Sequence, residues 1–314
     1  MKTNSRTGEP FKILVNDVDQ WLLIRGENDD NPIILFLHGG PGTAQIGFIS
    51  PYIKKLEEHY IVVNWDQRGS GLSFSPDLDQ DTMNMNQFVE DTRVVIQFLL
   101  DTFKKKKVYL IGHSWGSLLG MNVIKEYPEL VERFIGVGQV TNWWDMEKEG
   151  YHYVLNSAKR QNNDEALKEL TQIGEPPYQN PLNDIAIQRN WLQVFGGATR
   201  GFDLIPLIID GMNKGNEYTK DDIDKWKKGT GYSFMNTYEE LFNTKLRDEI
   251  TEVKIPIAFF AGKYDFNTPS NLAKEYLSEI NAPFKKFVWF NQSAHFPLIE
   301  ETSEFTKQVH CFFK

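Results

Sequence analysis

Ser114 stands in the one setting of this 314-residue chain that can turn a serine into a nucleophile. The segment Val108-Tyr-Leu-Ile-Gly-His-Ser-Trp-Gly116 contains the pattern G-x-S-x-G, formed by Gly112, His113, Ser114, Trp115 and Gly116. A β-rich apolar run precedes it, and a helical run, Ser117–Glu126, follows. A nucleophile elbow needs that strand–turn–helix order: the serine sits on a sharp, strained turn, and the glycines keep Cβ atoms out of it. The helix start also brings backbone N–H groups and a positive dipole end to the reacting carbonyl. The bland alternative is a glycine-rich turn with an idle serine; the flanking strand and helix outweigh it.

A serine hydroxyl needs a base. Of the six histidines, His38 and His113 belong to loop motifs and His59 precedes a strand. His152 falls in a helical region and His310 in the terminal helix. His295 follows the last strand pattern, in Asn291-Gln-Ser-Ala-His-Phe-Pro297, and is the expected base. The acid should precede it, since an elbow serine is followed in the chain by its acid and then its histidine. Asp265 ends the strand segment Ile257-Ala-Phe-Phe-Ala-Gly-Lys-Tyr-Asp265, with no rival carboxylate in that loop. Its role is to orient the imidazole and stabilise the imidazolium.

Two further strand ends carry glycine-rich loops. At His38-Gly-Gly-Pro-Gly42 the backbone can approach a substrate oxygen closely. The expected oxyanion donors are the N–H groups of Gly40 and of Trp115, the residue after the nucleophile. His38 itself reads as a structural hydrogen-bonder. In Asp66-Gln-Arg-Gly-Ser-Gly71, Asp66 and Arg68 are expected to pair beneath the site as support. The histidines lack the spacing with cysteines or acids that a metal site needs, and no phosphate- or dinucleotide-binding glycine motif occurs. No metal and no cofactor are expected.

The elements that must position these residues alternate. Phe11–Val15 and Trp21–Arg25 read as an opening hairpin; Ile33–Leu37, Tyr60–Trp65, Val108–Ile111, Phe134–Val137, Ile255–Ala261 and Lys286–Phe290 read as further strands. Their runs are continuously apolar, as in a parallel sheet covered on both faces. Helical spacing over Asn86–Leu100 and between later strands implies a doubly wound α/β fold. The motifs lie at carboxyl ends of strands, where such sheets bind ligands. From Thr141 to Thr244 the alternation stops, and this stretch reads as an inserted helical cap. One helix is expected over Ala158–Ile173, one over Asp184–Phe195 and a short charged one over Asp221–Lys228. The core is then 1–140 with 245–314, and the cap is 141–244.

Composition sets outer limits. Apolar residues at 40% and charged residues at 25% are those of a globular chain with a large core. A net charge of -9 argues against a nucleic-acid partner. The single cysteine, Cys311, excludes an internal disulfide and reads as a half-buried residue near a helix end. The polar start, Met1–Pro10, lacks a signal-peptide core, and no apolar run reaches the roughly 20 residues of a membrane span. A cytoplasmic protein acting on a small peptide or small molecule is expected. Lys104–Lys107 reads as a solvated turn.

Taken together, His38-Gly-Gly-Pro-Gly42, Asp66-Gln-Arg-Gly-Ser-Gly71, Gly112-His-Ser-Trp-Gly-Ser117, Gly262-Lys-Tyr-Asp265 and Ala294-His295 resemble the prolyl iminopeptidase family of α/β-hydrolases. The resemblance spans the core on both sides of the cap. It implies an α/β-hydrolase fold and a cofactor-free serine peptidase that releases N-terminal proline from short peptides. Its implied triad is Ser114, Asp265 and His295, with oxyanion donors at Gly40 and Trp115. The cap departs from the pattern. Better-known bacterial members carry a Trp-Glu-Gly-Ala-Thr-like segment whose glutamate helps hold the substrate's free α-amino group. Here the segment is Phe195-Gly-Gly-Ala-Thr199, with Gly196 in the glutamate's place. A desolvated ammonium needs a carboxylate partner. Either another cap acid, Glu147, Glu149, Glu175 or Asp203, supplies it, or the substrate is not an aminoacyl compound. Trp143, Trp144, Trp191 and Tyr232 are the aromatic candidates for a cap pocket. The competing readings are an esterase, lactonase, thioesterase or amidase on the same core, and a non-catalytic binding protein on a hydrolase scaffold.

Overall fold

A computed structural model describes residues 8–314. The described residues form eight strands: β1 (Phe11–Val15), β2 (Val18–Arg25), β3 (Ile33–Leu37), β4 (Ile61–Asp66), β5 (Val108–His113), β6 (Val131–Val137), β7 (Ile257–Gly262) and β8 (Lys285–Phe290). They form one sheet in the order β1-β2-β4-β3-β5-β6-β7-β8. β2 is antiparallel to both its neighbours, and every pair from β4 to β8 is parallel. β3, β4 and β7 are buried along their whole length, which is why their sequences are continuous rather than alternating.

The helices are α1 (Ser50–Ile53), α2 (Met85–Phe103), α3 (Trp115–Glu126), α4 (Trp143–Gln161), α5 (Asp164–Ile173) and α6 (Pro181–Val194). They continue with α7 (Leu204–Lys214), α8 (Lys220–Phe242), α9 (Leu246–Glu249), α10 (Ser270–Glu279), α11 (Pro297–Glu300) and α12 (Thr302–Phe313). Two buried clusters flank the sheet. One joins residues of α2, α3 and α10, such as Val95, Leu119 and Tyr276, to Trp65 and Phe134. The other joins Ile53 of α1 and Phe305 of α12 to Phe36 and Phe260. The β5–α3 junction is therefore pinned from both sides, and it carries Ser114.

Between β6 and β7 the chain forms α4 to α9. Asn142 and Lys245 bridge in antiparallel fashion, so the chain leaves and rejoins the core at one point. The expected helix over Ala158–Ile173 is two helices. Asn162 adopts the left-handed conformation (φ 51°, ψ 43°), and Asn163 caps α5 by accepting from the N–H of Ala166. The short charged helix is instead the 23-residue α8, opened by a Thr219–Asp222 capping box. Its second half seats small residues on the core: the Ser233 hydroxyl donates to the Gly69 carbonyl at 2.9 Å. Among the described residues no helix is long and apolar enough to cross a membrane.

Candidate active site

Ser114 has φ 54° and ψ −120°, a left-handed conformation for a residue with a Cβ. Such a conformation costs on the order of 1–3 kcal/mol and persists only where the surroundings enforce it. Here the Ser114 N–H donates to the Val137 carbonyl at 2.9 Å, tying the turn to the neighbouring strand. The flanking glycines are obligatory: a Cβ on Gly112 would lie 2.1 Å from the Gly116 carbonyl oxygen, and one on Gly116 2.0 Å from that of Leu37.

Asp265 and His295 come from the ends of β7 and β8. The His295 Nδ1–H donates to Asp265 Oδ2 at 2.8 Å, and both side chains are buried. The carboxylate fixes the tautomer, leaving Nε2 as the free lone pair. Asp265 Oδ1 accepts from the N–H groups of Asn267 and Thr268, each at 2.9 Å, and the Thr268 hydroxyl donates to Oδ2 at 2.9 Å. The His295 carbonyl accepts from His113 Nε2 at 2.8 Å. Burial, helped by the nearby His295, pushes the His113 imidazole down to about 3, so it stays a neutral donor.

Ser114 sits between two cavities. The larger, about 700 Å³, is lined by Ser114, His113, His295 and Gly40, with an apolar arm that includes Phe48, Leu204 and Ile299. The smaller, about 260 Å³, is lined by Ser114, Gly40, Trp115, Trp143, Met146 and Phe234. Gly40 has φ 117°, and a Cβ there would meet the amide nitrogens of Gly42 and Thr43 at 2.6 Å. Only glycine fits that approach.

The aromatic and acidic candidates of the helical segment separate. Asp203 is exposed on the rim of the larger cavity, and Trp143 lines the smaller one. Glu147 is buried and paired with Arg189. Glu175 is on the surface beside Lys148 and His152. Glu149 is half-buried on α4, outside both cavities. Trp191 donates its indole N–H to Glu169, Trp144 packs on Tyr178 and Phe242, and Tyr232 donates to the Leu78 carbonyl. None of these three lines either cavity. Gly196 faces a separate cavity of about 600 Å³ that shares Asp203 with the larger one.

The expected Asp66–Arg68 pair does not form. Arg68 donates to both oxygens of buried Asp91, at 2.7 and 3.0 Å. Asp66 accepts from the Leu72 N–H at 2.9 Å and from the Tyr218 hydroxyl. Burial pushes its carboxyl up to about 7, against the hydrogen bonds from Tyr218 and Leu72. His38 is the hydrogen-bonder expected: Nε2 accepts from the Gln67 N–H at 3.1 Å and Nδ1 donates to the Gly39 carbonyl at 2.9 Å.

Several residues of the site had no sequence signal. Ala186, Arg189 and Asn267 border both cavities, and Thr268 braces the acid. Arg189 reads in sequence as one more charge on an amphipathic helix, and nothing in its spacing marks the face it takes.

A family model described as alpha/beta hydrolase fold matches residues 32–302. A probable aminopeptidase, YbaC, of Bacillus subtilis (strain 168) is 36% identical over 301 residues, covering 95% of this chain and 94% of that protein. The proline iminopeptidase of Heyndrickxia coagulans is 25% identical, covering 91% and 92%. The crystal structure of a proline iminopeptidase from Mycobacterium smegmatis superposes with a TM-score of 0.69 at 18% identity, covering 97% of each chain. With its matched fold, its elbow serine and these relatives, the chain belongs to the alpha/beta hydrolase fold family, among the proteins similar to prolyl iminopeptidases.

Proposed function

We propose that this chain is a serine hydrolase working through an acyl-enzyme on Ser114, and that its activity is that of an aminopeptidase of the prolyl iminopeptidase type. The observation that carries the reading is the buried Asp265–His295 pair, whose imidazole lines the same cavity as the left-handed Ser114. Ser114 Oγ attacks the scissile carbonyl carbon while its proton passes to His295 Nε2. The carbonyl electron pair moves onto oxygen and is met by the Gly40 and Trp115 N–H groups. Collapse breaks the bond to the leaving nitrogen, which keeps the electron pair and takes the proton from Nε2. Water then repeats the sequence on the ester, releasing the acid and Ser114. Throughout, Asp265 orients the imidazole and stabilises the imidazolium.

The cavities divide the substrate. Both cavities reach Ser114 and Gly40, so the acyl residue takes one and the leaving group the other. The free amino group lies on the acyl residue, so that residue takes the larger cavity, which carries Asp203, and the leaving group takes the smaller one, walled by Trp143, Met146 and Phe234. Asp203 is the carboxylate, among the described residues, that lines a cavity with Ser114, and it is the partner proposed for the free amino group.

A second reading, hydrolysis of an ester or amide with a neutral acyl group, is favoured by Arg189, a cation that lines the larger cavity together with Asp203 and opposes an ammonium there. One matched pair decides between them. Prolyl and N-acetylprolyl amides of the same amine are compared by kcat/KM. An aminopeptidase prefers the free amine by at least about tenfold, because the acetylated substrate leaves the carboxylate unpaired. Equal turnover overturns the aminopeptidase reading and leaves the second. A fluorophosphonate that fails to modify Ser114 overturns both.

A further inference from the structure

Glu300 ends the short helix α11, five positions after His295. Its Oε2 accepts from the N–H groups of Ala294 at 2.9 Å and Phe296 at 3.0 Å, the two amides that flank His295. Its Oε1 accepts from the Arg200 N–H at 2.7 Å. Arg200 belongs to the segment after α6, and that segment touches both catalytic loops. The Ala198 carbonyl accepts from the His295 N–H at 3.1 Å, and the Gly197 carbonyl accepts from the Phe266 N–H, beside Asp265, at 3.0 Å. The Arg200 guanidinium lies 3.9 Å above the Tyr264 ring. Ala198 also lines the larger cavity, whereas Glu300 lines neither.

One carboxylate thus holds three amides: two that set the His295 backbone and one that seats the 197–200 segment against it. We propose that Glu300 is a positioning residue, which fixes His295 toward Ser114 and couples that placement to the seating of the 197–200 segment. The inference rests on His295 being the base. A displacement of about 1 Å at such a group costs on the order of a hundredfold in rate.

The geometry also sets a dependence on charge. An ionised carboxylate accepts all three N–H groups; a protonated one turns an oxygen into a donor facing one of them. Burial pushes Glu300 up to about 7, with Asp265 adding to the rise and the three amides opposing it. The other charged or titratable groups around the loop are His295 between the two amides, His113 on its carbonyl, Arg200 over Tyr264, and Glu301, which accepts from the Gln292 N–H and the Ser293 hydroxyl.

The test compares Glu300→Gln, Glu300→Asp and the parent by steady-state kinetics on one turned-over ester or amide, by the rate of Ser114 phosphonylation with a fluorophosphonate, and by Tm. Glu300→Gln should lower kcat by about 10- to 100-fold with KM within about twofold, and should slow phosphonylation by the same factor. Glu300→Asp, which keeps the charge on a shorter stem, should recover part of the loss. In the parent, the acid limb of kcat/KM should fall with two protons, and in Glu300→Gln with one. A lowered Tm with parental kcat per phosphonylated site, or a one-proton acid limb in the parent, overturns the inference. The parental profile needs no variant, so it decides even if Glu300→Gln fails to fold. Parental turnover in His295→Asn would instead remove the underlying reading.

Discussion

Arg189 grips Glu147 through both carboxylate oxygens, with Nη1 on Oε2 at 3.1 Å and Nη2 on Oε1. Glu147 is buried, while Arg189 reaches the walls of both cavities beside Ser114. One of the four acids that sequence offers as an ammonium partner is therefore already neutralised by a guanidinium. Removing one member of such a pair strands the other. Glu147→Gln should lower stability by about 3 kcal/mol, the low end for a broken buried pair because Arg189 keeps some contact with water. Chemical denaturation reads this directly. A Glu147→Gln protein of parental stability would show that the pair does not hold the α4–α6 contact.

Asp203 should behave in the opposite way. It is exposed on the rim, and its contact is a 3.4 Å hydrogen bond from Gln193 Nε2. Asp203→Asn should leave stability within about 0.5 kcal/mol. It should lower kcat/KM for free-amine substrates by about tenfold or more and leave N-acetylated ones unchanged, because only the former lose a charge partner. Equal losses on both would mean that Asp203 shapes the cavity without reading the amine.

Ser114→Ala should remove turnover by on the order of 10⁴–10⁶, since nucleophile, base and acid act as a unit. The substitution also relieves nothing in the fold: the strained turn is enforced by Val137 and by Gly112 and Gly116 whichever side chain is present. Tm should stay near the parental value. Retention of more than a few per cent of activity would place the nucleophile elsewhere.

What sequence could and could not reveal follows from the kind of interaction involved. The strand-end motifs are legible because a tight turn demands glycine and an elbow demands a strand before it and a helix after it. The break at Asn162–Asn163 is carried by two asparagines that a hydrophobic pattern passes over, although each is a cap by type. The second half of α8 is missed because its contact stripe, Gly229, Ser233 and Thr237, is small rather than apolar and fits only against the loop it covers. Arg68 lies nearer Asp66 in sequence, but its guanidinium selects Asp91, a helix residue whose two oxygens match its fork. Glu300 gives no signal because its partners are backbone amides, which carry no residue identity.

His38 supplies a test of buried neutral charge. Its Nε2 accepts from the Gln67 N–H, so a proton there would break a bond as well as charge a buried ring. Burial lowers its pKa from 6.5 to about 4. Its native pKa is below its unfolded one, so the unfolded chain takes the proton first on acidification. The contribution to stability is present above pH 6.5 and is lost as pH falls toward about 4, at up to about 1.4 kcal/mol per pH unit. Asp66 and Glu300, both raised to about 7 by burial, act with the opposite sign: the native state takes their protons first, and their contribution declines as pH rises toward 7. The parental profile is the sum of these, so a single curve does not isolate His38. A difference does. His38→Gln keeps polar atoms at the site but cannot titrate. It should be less stable than the parent at pH 7, and the gap should narrow steadily from pH 6.5 to 4.5 as the parent loses its histidine contribution. Denaturant unfolding of both proteins across that range gives the gap at each pH. A gap that stayed constant would mean that His38 is protonated alike in the native and unfolded states, and would contradict its place as a neutral acceptor beneath the Gly39–Gly40 loop.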